Sequence, residues 1–454
     1  MSAATLLVIV GVAASLLGAA VALFVKGGEY LDGFVHIDAT ARLFLVVVNP
    51  IFVGISVYIW SRMATTPALR PTAPRFAALA IAFLVSANLV FVANHLLVLW
   101  VLLEATTLCA APLIVRRGSR ASMQASFRYL LFSSVGLGIA MLGFLCLVRG
   151  IETDGLQSTF FLDHMVEQLR GEPNTWQKLG LALVLLGLGT KLGLAPMYSW
   201  LPEVYDEAPP AVTALLGAVQ FNCTLVVLLR VLQVFRPNHA SLISEELVTM
   251  GIVSLAISTF NIIATRNVKR LLAYASINHA GVIAIGLGIG KAATYGLLLY
   301  VISNAVIKAI LFLTVGKIEA HYRTKDTQKI AGLLQDLPYS GALLMVGTFA
   351  LLGFPPFASF FGELLILSAL VRAGGMLVFA AFCMLITMTF VATGRTIFPM
   401  IWGEPKSKNE WPRQTFWTAA PKIGLLLALV VLGVYVPPFA NELLQQVAAS
   451  LVER

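Results

Sequence analysis

Charged residues are scarce in this chain, and their scarcity excludes an ordinary soluble protein. Only 12% of the 454 residues are Asp, Glu, Lys or Arg, whereas 59% are hydrophobic. Soluble domains carry about 25% charged residues. Apolar runs of about 20 residues, the length that crosses a bilayer, recur along the whole chain. The composition therefore predicts a polytopic membrane protein that is in contact with the lipid bilayer.

Cysteine is also scarce, and no pair of cysteines has the CxxC spacing of a metal or redox site. The chain lacks a Ser/His/Asp set, a phosphate-binding loop, a GxGxxG fingerprint and an HExxH motif. We therefore expect no cofactor, no metal and no independent catalytic site. The four cysteines lie far apart in apolar segments, where they act as small packing residues: Cys109, Cys146, Cys223 and Cys383.

The net charge of +9 is confined mainly to short loops and shows no basic stripe with interleaved aromatics, so we expect no nucleic acid partner. Basic loops of membrane proteins face the cytoplasm. This rule predicts a cytoplasmic N-terminus and an outer C-terminus. The basic loop residues are Arg62, Arg70, Arg75, Arg116, Arg117, Arg120, Arg266, Lys269, Arg270, Lys317, Arg323, Lys325 and Lys329, and the acidic ones are Glu29, Asp32, Asp38, Glu152, Asp154, Asp163, Glu167 and Glu172.

The apolar runs predict an all-α membrane protein with about thirteen transmembrane helices. The first run lacks a basic leader and a cleavage site, so we expect a retained helix. The tail 440–454 is predicted to lie at the membrane interface. The predicted segments are 4–26, 41–61, 75–95, 96–115, 125–148, 178–201, 209–233, 246–264, 270–289, 293–315, 340–371, 376–401 and 420–437.

Two of these segments contain Gly and Pro clusters that predict a broken helix. One runs from Gly187 to Pro202, and the other contains Gly353-Phe354-Pro355-Pro356. Interrupted helices at corresponding places in two halves indicate an inverted-repeat transporter, although Gly and Pro are also common in intact membrane helices. We predict N-terminal helices over 1–74, five-helix repeats over 75–233 and 246–401, and a C-terminal loop, helix and tail over 402–454.

Among the ionisable residues within predicted membrane segments, where a charge costs from about 2.5 kcal/mol upward, four stand out. They are Glu104, Lys191, Lys308 and Glu363. Such residues usually face a hydrated path or a charged partner. A set of acids and bases can move protons by coupled changes of charge, without a covalent step. We therefore predict a proton relay at these four positions.

Each of the four positions also has a structural interpretation. Glu104 could form an ion pair with a neighbouring helix, and Lys191 could bind the free carbonyls of its own broken helix. Lys308 could extend its ammonium group to the membrane surface. Glu363 could cap the helix that begins after the second break, where a carboxylate is favoured.

Five further polar residues are auxiliary candidates for the same path. Arg128 is close enough to the start of its segment to reach the surface or to pair with Glu104. His279 can relay protons near neutral pH, although a lone histidine is more often structural. Asparagines in membrane helices often only bridge neighbouring helices, and the candidates of this type are Asn222, Asn278 and Asn304.

Several motifs together resemble one family. LWVLLEATTLCAAPLI, GTKLGLAPMYSWLPEVYDEAPPAVTALLGAV, NVKRLLAYASINHAG, NAVIKAILFLTVG and GFPPFASFFGELLIL are similar to the antiporter-like subunits of respiratory complex I, the Mrp antiporters and the group-4 membrane hydrogenases. EATTL and SINHAG are most similar to component F of hydrogenase-4. The resemblance implies two inverted five-helix repeats, a mid-membrane row of charges and a bacterial cytoplasmic membrane. It also implies that Glu104 pairs with Lys191.

The chain departs from the family pattern at several positions. Asn222 stands where some complex I subunits carry a lysine, and Arg128 stands where members often carry lysine. Tyr205 replaces a frequent histidine, and Asn278 replaces a glutamate. One N-terminal helix is missing relative to a fourteen-helix plan. These differences concern the details of the proton path.

The resemblance implies a proton-translocating subunit of a larger complex, either complex I-like or hydrogenase-like. Its partners would be other membrane subunits and a peripheral redox module that supplies the driving force. A proton-conducting subunit of an inorganic-carbon uptake complex, with a carbon-hydrating partner, is an alternative. A membrane scaffold that conducts nothing is a second alternative, and stand-alone Na⁺/H⁺ exchange is a weaker one.

Overall fold

The computed structural model describes residues 3–65, 73–153, 159–168, 174–290, 292–405 and 416–451. Three of the loop charges that were used to predict orientation, Arg70, Asp154 and Glu172, lie outside these ranges. The described chain is almost entirely helical, as the apolar runs predict.

The helices are α1 Ala3–Phe24, α2 Ala39–Thr65, α3 Ala73–Val92, α4 Leu96–Ile114, α5 Arg120–Thr153, α6 Leu162–Gln168, α7 Thr175–Leu192, α8 Trp200–Glu207, α9 Pro210–Leu215, α10 Phe221–Ala264, α11 Val268–Ile289, α12 Thr294–Tyr322, α13 Leu333–Asp336, α14 Pro338–Leu351, α15 Ala358–Arg372, α16 Met376–Trp402, α17 Phe416–Val434 and α18 Pro438–Ser450. A π-helical segment, Leu216–Gln220, joins α9 to α10, and a 3₁₀ turn, Thr327–Lys329, precedes α13. The strands β1 Gly28–Tyr30 and β2 Val35–Ile37 form an antiparallel hairpin in which Glu29 lies opposite His36.

Within the described ranges, nine helices are long and apolar enough to cross a bilayer, or ten if α17 and α18, bent by 70°, form one span. The sequence predicted thirteen segments. Two of these, 178–201 and 340–371, are each divided into two short helices, α7 with α8 and α14 with α15. The nine are Ala39–Met63, Ala73–Val92, Leu96–Ile114, Arg120–Glu152, Pro210–Pro237, His239–Ala264, Val268–Ile289, Thr294–Tyr322 and Met376–Trp402.

The boundary between the two predicted halves is not a loop. The predicted segments 209–233 and 246–264 are connected through α10, which is helical across the interval between them. The chain bends there because Pro237 cannot donate a backbone hydrogen bond, and His239 leaves the helical region with φ −128°.

One end of the bundle carries the acidic loops. The β-hairpin, α6 and the start of α4 meet there through bridges between Val35 and Ala93 and between His95 and Phe161. Arg230 reaches Asp38 at 3.3 Å. The His36 ring lies 3.3 Å from Asp163, and the hydrogen bond to this carboxylate raises the pKa of His36 above its usual value.

The opposite, basic end of the bundle gathers most of the arginines and lysines of the loops. Lys325 lies 2.7 Å from Asp206, the penultimate residue of α8. Burial acts to raise the pKa of Asp206, but hydrogen bonds from Lys325, Asn267 and Arg270 outweigh it and hold this pKa below its usual value. The end of the first broken helix is thereby fixed to the loops that follow α10 and α12.

Small residues allow α5 and α7 to approach closely, as is common between membrane helices. A Cβ atom at Gly143 would lie 2.7 Å from the Gly180 carbonyl oxygen and 2.7 Å from the Val184 side chain. Only glycine fits this contact. It brings the helix that carries Lys191 against the rest of the first half.

We predict opposite effects for two glycine substitutions in α5. Gly143→Ala forces α5 and α7 apart and should lower the free energy of unfolding by about 1–3 kcal/mol. Gly138→Ala is the matched control, because nothing lies within 4 Å of a Cβ atom there. It should raise stability by about 0.5–1 kcal/mol through helix propensity. Unfolding in bicelles measures both changes, and an equal loss in the two variants would contradict the packing argument.

Candidate functional site

The first broken helix ends α7 immediately after Lys191. Gly193 adopts φ +78°, and the backbone amides of Gly193 and Leu194 donate to the carbonyls of Thr190 and Gly189. The Trp200 indole also donates to the Thr190 carbonyl, at 2.9 Å. The Ala195 amide donates to the Ser254 hydroxyl at 2.8 Å. The groups freed by the break are therefore bound by other parts of the chain.

Lys191 does not bind the carbonyls of its own break, which is one of the two interpretations offered by the sequence. Its side chain is only 3% exposed, and it extends to the neighbouring helix α4. There Nζ donates to the Leu103 carbonyl at 2.8 Å and to the Thr107 hydroxyl. The buried ammonium group thus has polar partners on one face of α4.

Glu104 follows Leu103 on α4 and lies close to this contact without joining it. The ion pairs found among the described residues do not include one between Glu104 and Lys191. The Ser134 hydroxyl of α5 donates to Glu104 Oε1 at 2.7 Å. The second oxygen, Oε2, is buried and finds no hydrogen-bond partner in the described chain. The carboxylate lies one turn from Thr107, since residues three apart share a helix face, so the ammonium and the carboxylate are neighbours at α4 without a direct ion pair.

The second broken helix separates α14 from α15 at Gly353, which adopts φ +67°. The carbonyl of Ala350, at the end of α14, accepts the Ser359 hydroxyl at 2.8 Å. Glu363 lies in the second turn of α15, and its carboxylate folds back towards the break. A Cβ atom at Gly353 would lie 2.8 Å from Glu363 Oε2. The Glu363 carboxylate therefore lies in contact with the backbone of the break.

Three polar residues share one face of α12, since residues four apart lie above one another on a helix. They are Tyr300, Asn304 and Lys308. Lys308 is 2% exposed, and its Nζ lies 4.2 Å from the centre of the Phe221 ring, with no hydrogen-bond partner among the described residues. A side chain so placed does not reach the membrane surface.

The π-helical segment packs against this face. A Cβ atom at Gly217 would lie 3.4 Å from the Lys308 side chain. Both polar atoms of the Gln220 side chain are buried without a partner in the described chain, as are both of Asn304. Asn222 donates to the Ala218 carbonyl at 2.6 Å, while its oxygen has no partner there. Such groups are usually satisfied by ordered water.

The auxiliary candidates take different positions. Arg128 pairs with Glu203 of α8 and does not bind Glu104. Asn278 donates to Ser258 at 3.1 Å and to Thr389 at 3.3 Å, which is the bridging role of a structural asparagine. The His279 ring is hydrogen-bonded to the Tyr300 hydroxyl.

Tyr300 contacts both His279 and the helix turn that carries Glu363. Its hydroxyl is hydrogen-bonded to His279. Its Cβ atom packs against Gly362, the residue before Glu363, so closely that a Cβ atom added to Gly362 would lie only 2.8 Å from it. The sequence reasoning did not select Tyr300, although its spacing of four from Asn304 was a usable signal.

Lys422 of α17 was also missed by the sequence reasoning. Its side chain is fully buried, its Nζ has no hydrogen-bond partner among the described residues, and it lies 5.9 Å from the centre of the Tyr58 ring. Its position two residues after the start of the predicted segment 420–437 made surface exposure the simpler expectation.

Broken spans with buried ionisable side chains beside them define an antiporter-like membrane protein. Residues 93–389 match the family described as NADH:quinone oxidoreductase/Mrp antiporter, TM, and the chain belongs to this family.

Individual proteins agree with this assignment. The chain is 29% identical to the hydrogenase-4 component F homolog of Methylacidiphilum infernorum, over 82% of this chain and 78% of that protein. It is 28% identical to NADH-quinone oxidoreductase subunit N 2 of Chloroherpeton thalassium, over 78% and 70% respectively. Its fold matches a chain of the archaeal membrane-bound sulfane sulfur reductase with a TM-score of 0.87 and 23% identity, over 99% and 92%.

We predict that Thr107→Val lowers the free energy of unfolding by about 1–3 kcal/mol, because the buried Lys191 ammonium loses a hydrogen-bond partner. Thr106→Val is the matched control. The Thr106 hydroxyl is equally buried and donates to the same Leu103 carbonyl, at 2.6 Å, but the hydrogen bonds of Lys191 do not include it. Unfolding in bicelles measures both variants. Equal losses would show that the contact with Lys191 is unimportant.

Proposed function

We propose that this chain conducts protons through a row of ionisable and polar residues at mid-membrane, as one subunit of a larger membrane complex. The observation that carries the proposal is the burial of Lys191 and Lys308, 3% and 2% exposed, on helices of an apolar bundle. A buried ammonium group is costly to keep charged, so its protonation state is sensitive to small changes nearby.

In the first half, Lys191 is the central proton carrier and Glu104 acts on it from a neighbouring position on α4. The hydrogen bonds of the two residues support these separate roles. Lys191 uses the Leu103 carbonyl and the Thr107 hydroxyl, and Glu104 keeps an unpartnered oxygen. A change in the charge of Glu104 therefore shifts the proton affinity of Lys191 through space, without breaking a direct ion pair.

In the second half, protons pass from Lys308 along the polar face of α12 to Glu363. Asn304 and Tyr300 follow Lys308 at intervals of one turn, and eight residues of helix span about 12 Å. Tyr300 lies beside both His279 and the turn that bears Glu363. Hydroxyl, imidazole and water groups of this kind can pass a proton along hydrogen bonds.

The two halves are linked at the π-helical segment. Polar side-chain atoms without a partner in the described chain come from both halves. Gln220 and Asn222 belong to the first half, and Asn304 and Lys308 belong to the second. π-Helical turns often occur at functional sites. Ordered water at this place would connect the two halves without the bridging lysine that Asn222 replaces.

We further propose the repeat layout that the sequence predicts, with thirteen spans in which 75–233 and 246–401 are inverted five-helix units. Both units contain a broken helix held against their third long helix by small residues. Gly180 of α7 meets Gly143 of α5, and Gly362 of α15 meets Gly296 of α12. The basic end of the bundle would face the cytoplasm, with the N-terminus there and the C-terminus outside.

The driving force would come from a peripheral redox module. The similarity to a hydrogenase-4 component F homolog and to NADH-quinone oxidoreductase subunit N 2 favours such a complex over an inorganic-carbon uptake system. The complex would reside in a bacterial cytoplasmic membrane.

We predict that Lys191→Ala abolishes proton translocation by the reconstituted complex, or reduces it at least about tenfold, since it removes the central carrier. Lys178→Ala is the control, because Lys178 is an exposed lysine at the other end of the same helix. Acidification measured with a pH-sensitive dye in proteoliposomes, alongside turnover of the driving reaction, checks the result. Unchanged translocation in the Lys191 variant would rule out the proposed relay.

We predict that Glu104→Gln leaves assembly intact and slows coupled turnover, because the amide keeps the bond to Ser134 but removes the charge. A scaffold that conducts nothing predicts the reverse, namely loss of assembled complex with normal turnover per complex. Blue-native gels report assembly, and turnover is normalised to them. Ser134→Ala serves as the control for the hydrogen bond alone.

A further inference from the structure

A cavity of about 1100 Å³ opens at the basic end, between the ends of α2, α3, α4 and α12 and the turn that joins α8 to α9. We call it the basic-end cavity. Its lining does not include any of the four residues of the proposed relay. Six basic side chains line it: Arg62, Arg75, Arg116, Arg117, Arg323 and Lys325.

The basic-end cavity has a strong excess of positive charge. Its one acidic lining residue is Glu319, which is already bound by Arg116 at 3.4 Å and by Lys269 at 3.6 Å. The side chains of Arg75 and Arg117 are exposed and form no ion pair and no hydrogen bond with the described residues. Guanidinium groups bind phosphate through paired hydrogen bonds. The cavity therefore suits a phosphate-bearing anion.

The walls of the basic-end cavity are apolar and continue along the membrane-spanning helices. Ile59 and Met63 of α2 form one side, and Phe76 and Leu79 of α3 form another. Such walls exclude a fully hydrated ion but accept the glycerol and the first carbons of acyl chains. Basic pockets between membrane helices on the cytoplasmic side bind anionic lipid headgroups.

A neutral donor lies in the wall of the cavity, below the arginines. Tyr58 precedes Arg62 by one turn of α2, is 3% exposed, and its hydroxyl has no hydrogen-bond partner among the described residues. A buried hydroxyl without a partner loses free energy unless a ligand or water satisfies it. Its position suits an ester or glycerol oxygen of a lipid whose phosphate lies at the arginines.

We propose that the basic-end cavity binds the headgroup of one anionic phospholipid from the surrounding bilayer. The ligand is bound by its phosphate at Arg75 and Arg117 and by its glycerol region against α2 and α3. The floor of the cavity contains Pro209 and Pro210, so the bound lipid supports the turn that follows the first broken helix.

The test uses the full chain in phosphatidylcholine nanodiscs, into which phosphatidylglycerol is titrated. Bound lipid is counted by native mass spectrometry, and the thermal midpoint is followed in parallel. We expect one phosphatidylglycerol to be retained and to raise the midpoint. In Arg75→Gln/Arg117→Gln, retention should be about tenfold weaker, which corresponds to about 1.4 kcal/mol. Lys178→Gln/Arg372→Gln removes two exposed charges elsewhere and should bind as the parent does.

Three outcomes would overturn the proposal. They are equal phosphatidylglycerol retention in the cavity variant and the parent, equal stabilisation by soluble glycerol phosphate, and no retained lipid in the parent. Tyr58→Phe provides a second variant that keeps every charge. It should weaken retention by about threefold while the fold, judged by size-exclusion elution, stays unchanged; unchanged retention would contradict the placement of the glycerol at Tyr58.

Discussion

The hydrocarbon interior of a bilayer offers no water to backbone amides and carbonyls, so every interruption of a membrane helix must be satisfied by the protein. This chain interrupts two helices and meets that requirement with its own side chains. Trp200 and Ser254 bind the groups freed at the first break, and Ser359 binds one at the second. The rest of the site depends on these bonds, because they leave Lys191 and Glu363 without a structural task at the breaks.

The two side chains then take different positions. Lys191 reaches α4 and binds the carbonyl of Leu103, the residue before Glu104. Glu363 lies against Gly353, the glycine with positive φ in its own break. The polar face of α12 and the π-helical segment also bring together atoms that have no partner in the described chain. Apolar packing surrounds these groups, so a charge on any of them is weakly screened.

A few contacts position the broken helices within the bundle. Glycine pairs set the distance between α5 and α7 and between α12 and α15, and ion pairs at the basic end hold α8 to the loops after α10 and α12. These are local requirements on a few positions.

The sequence alone determined the membrane class, most of the helices, both breaks and the four ionisable positions, since apolar length, Gly/Pro clusters and intramembrane charge are local signals. The tertiary structure decided the partners: Arg128 binds Glu203, Lys191 binds α4, and Asn278 bridges α10, α11 and α16. It also revealed Tyr300 and Lys422. Which side chains meet depends on helix rotation and crossing between segments that are distant in the chain, and no local pattern specifies these.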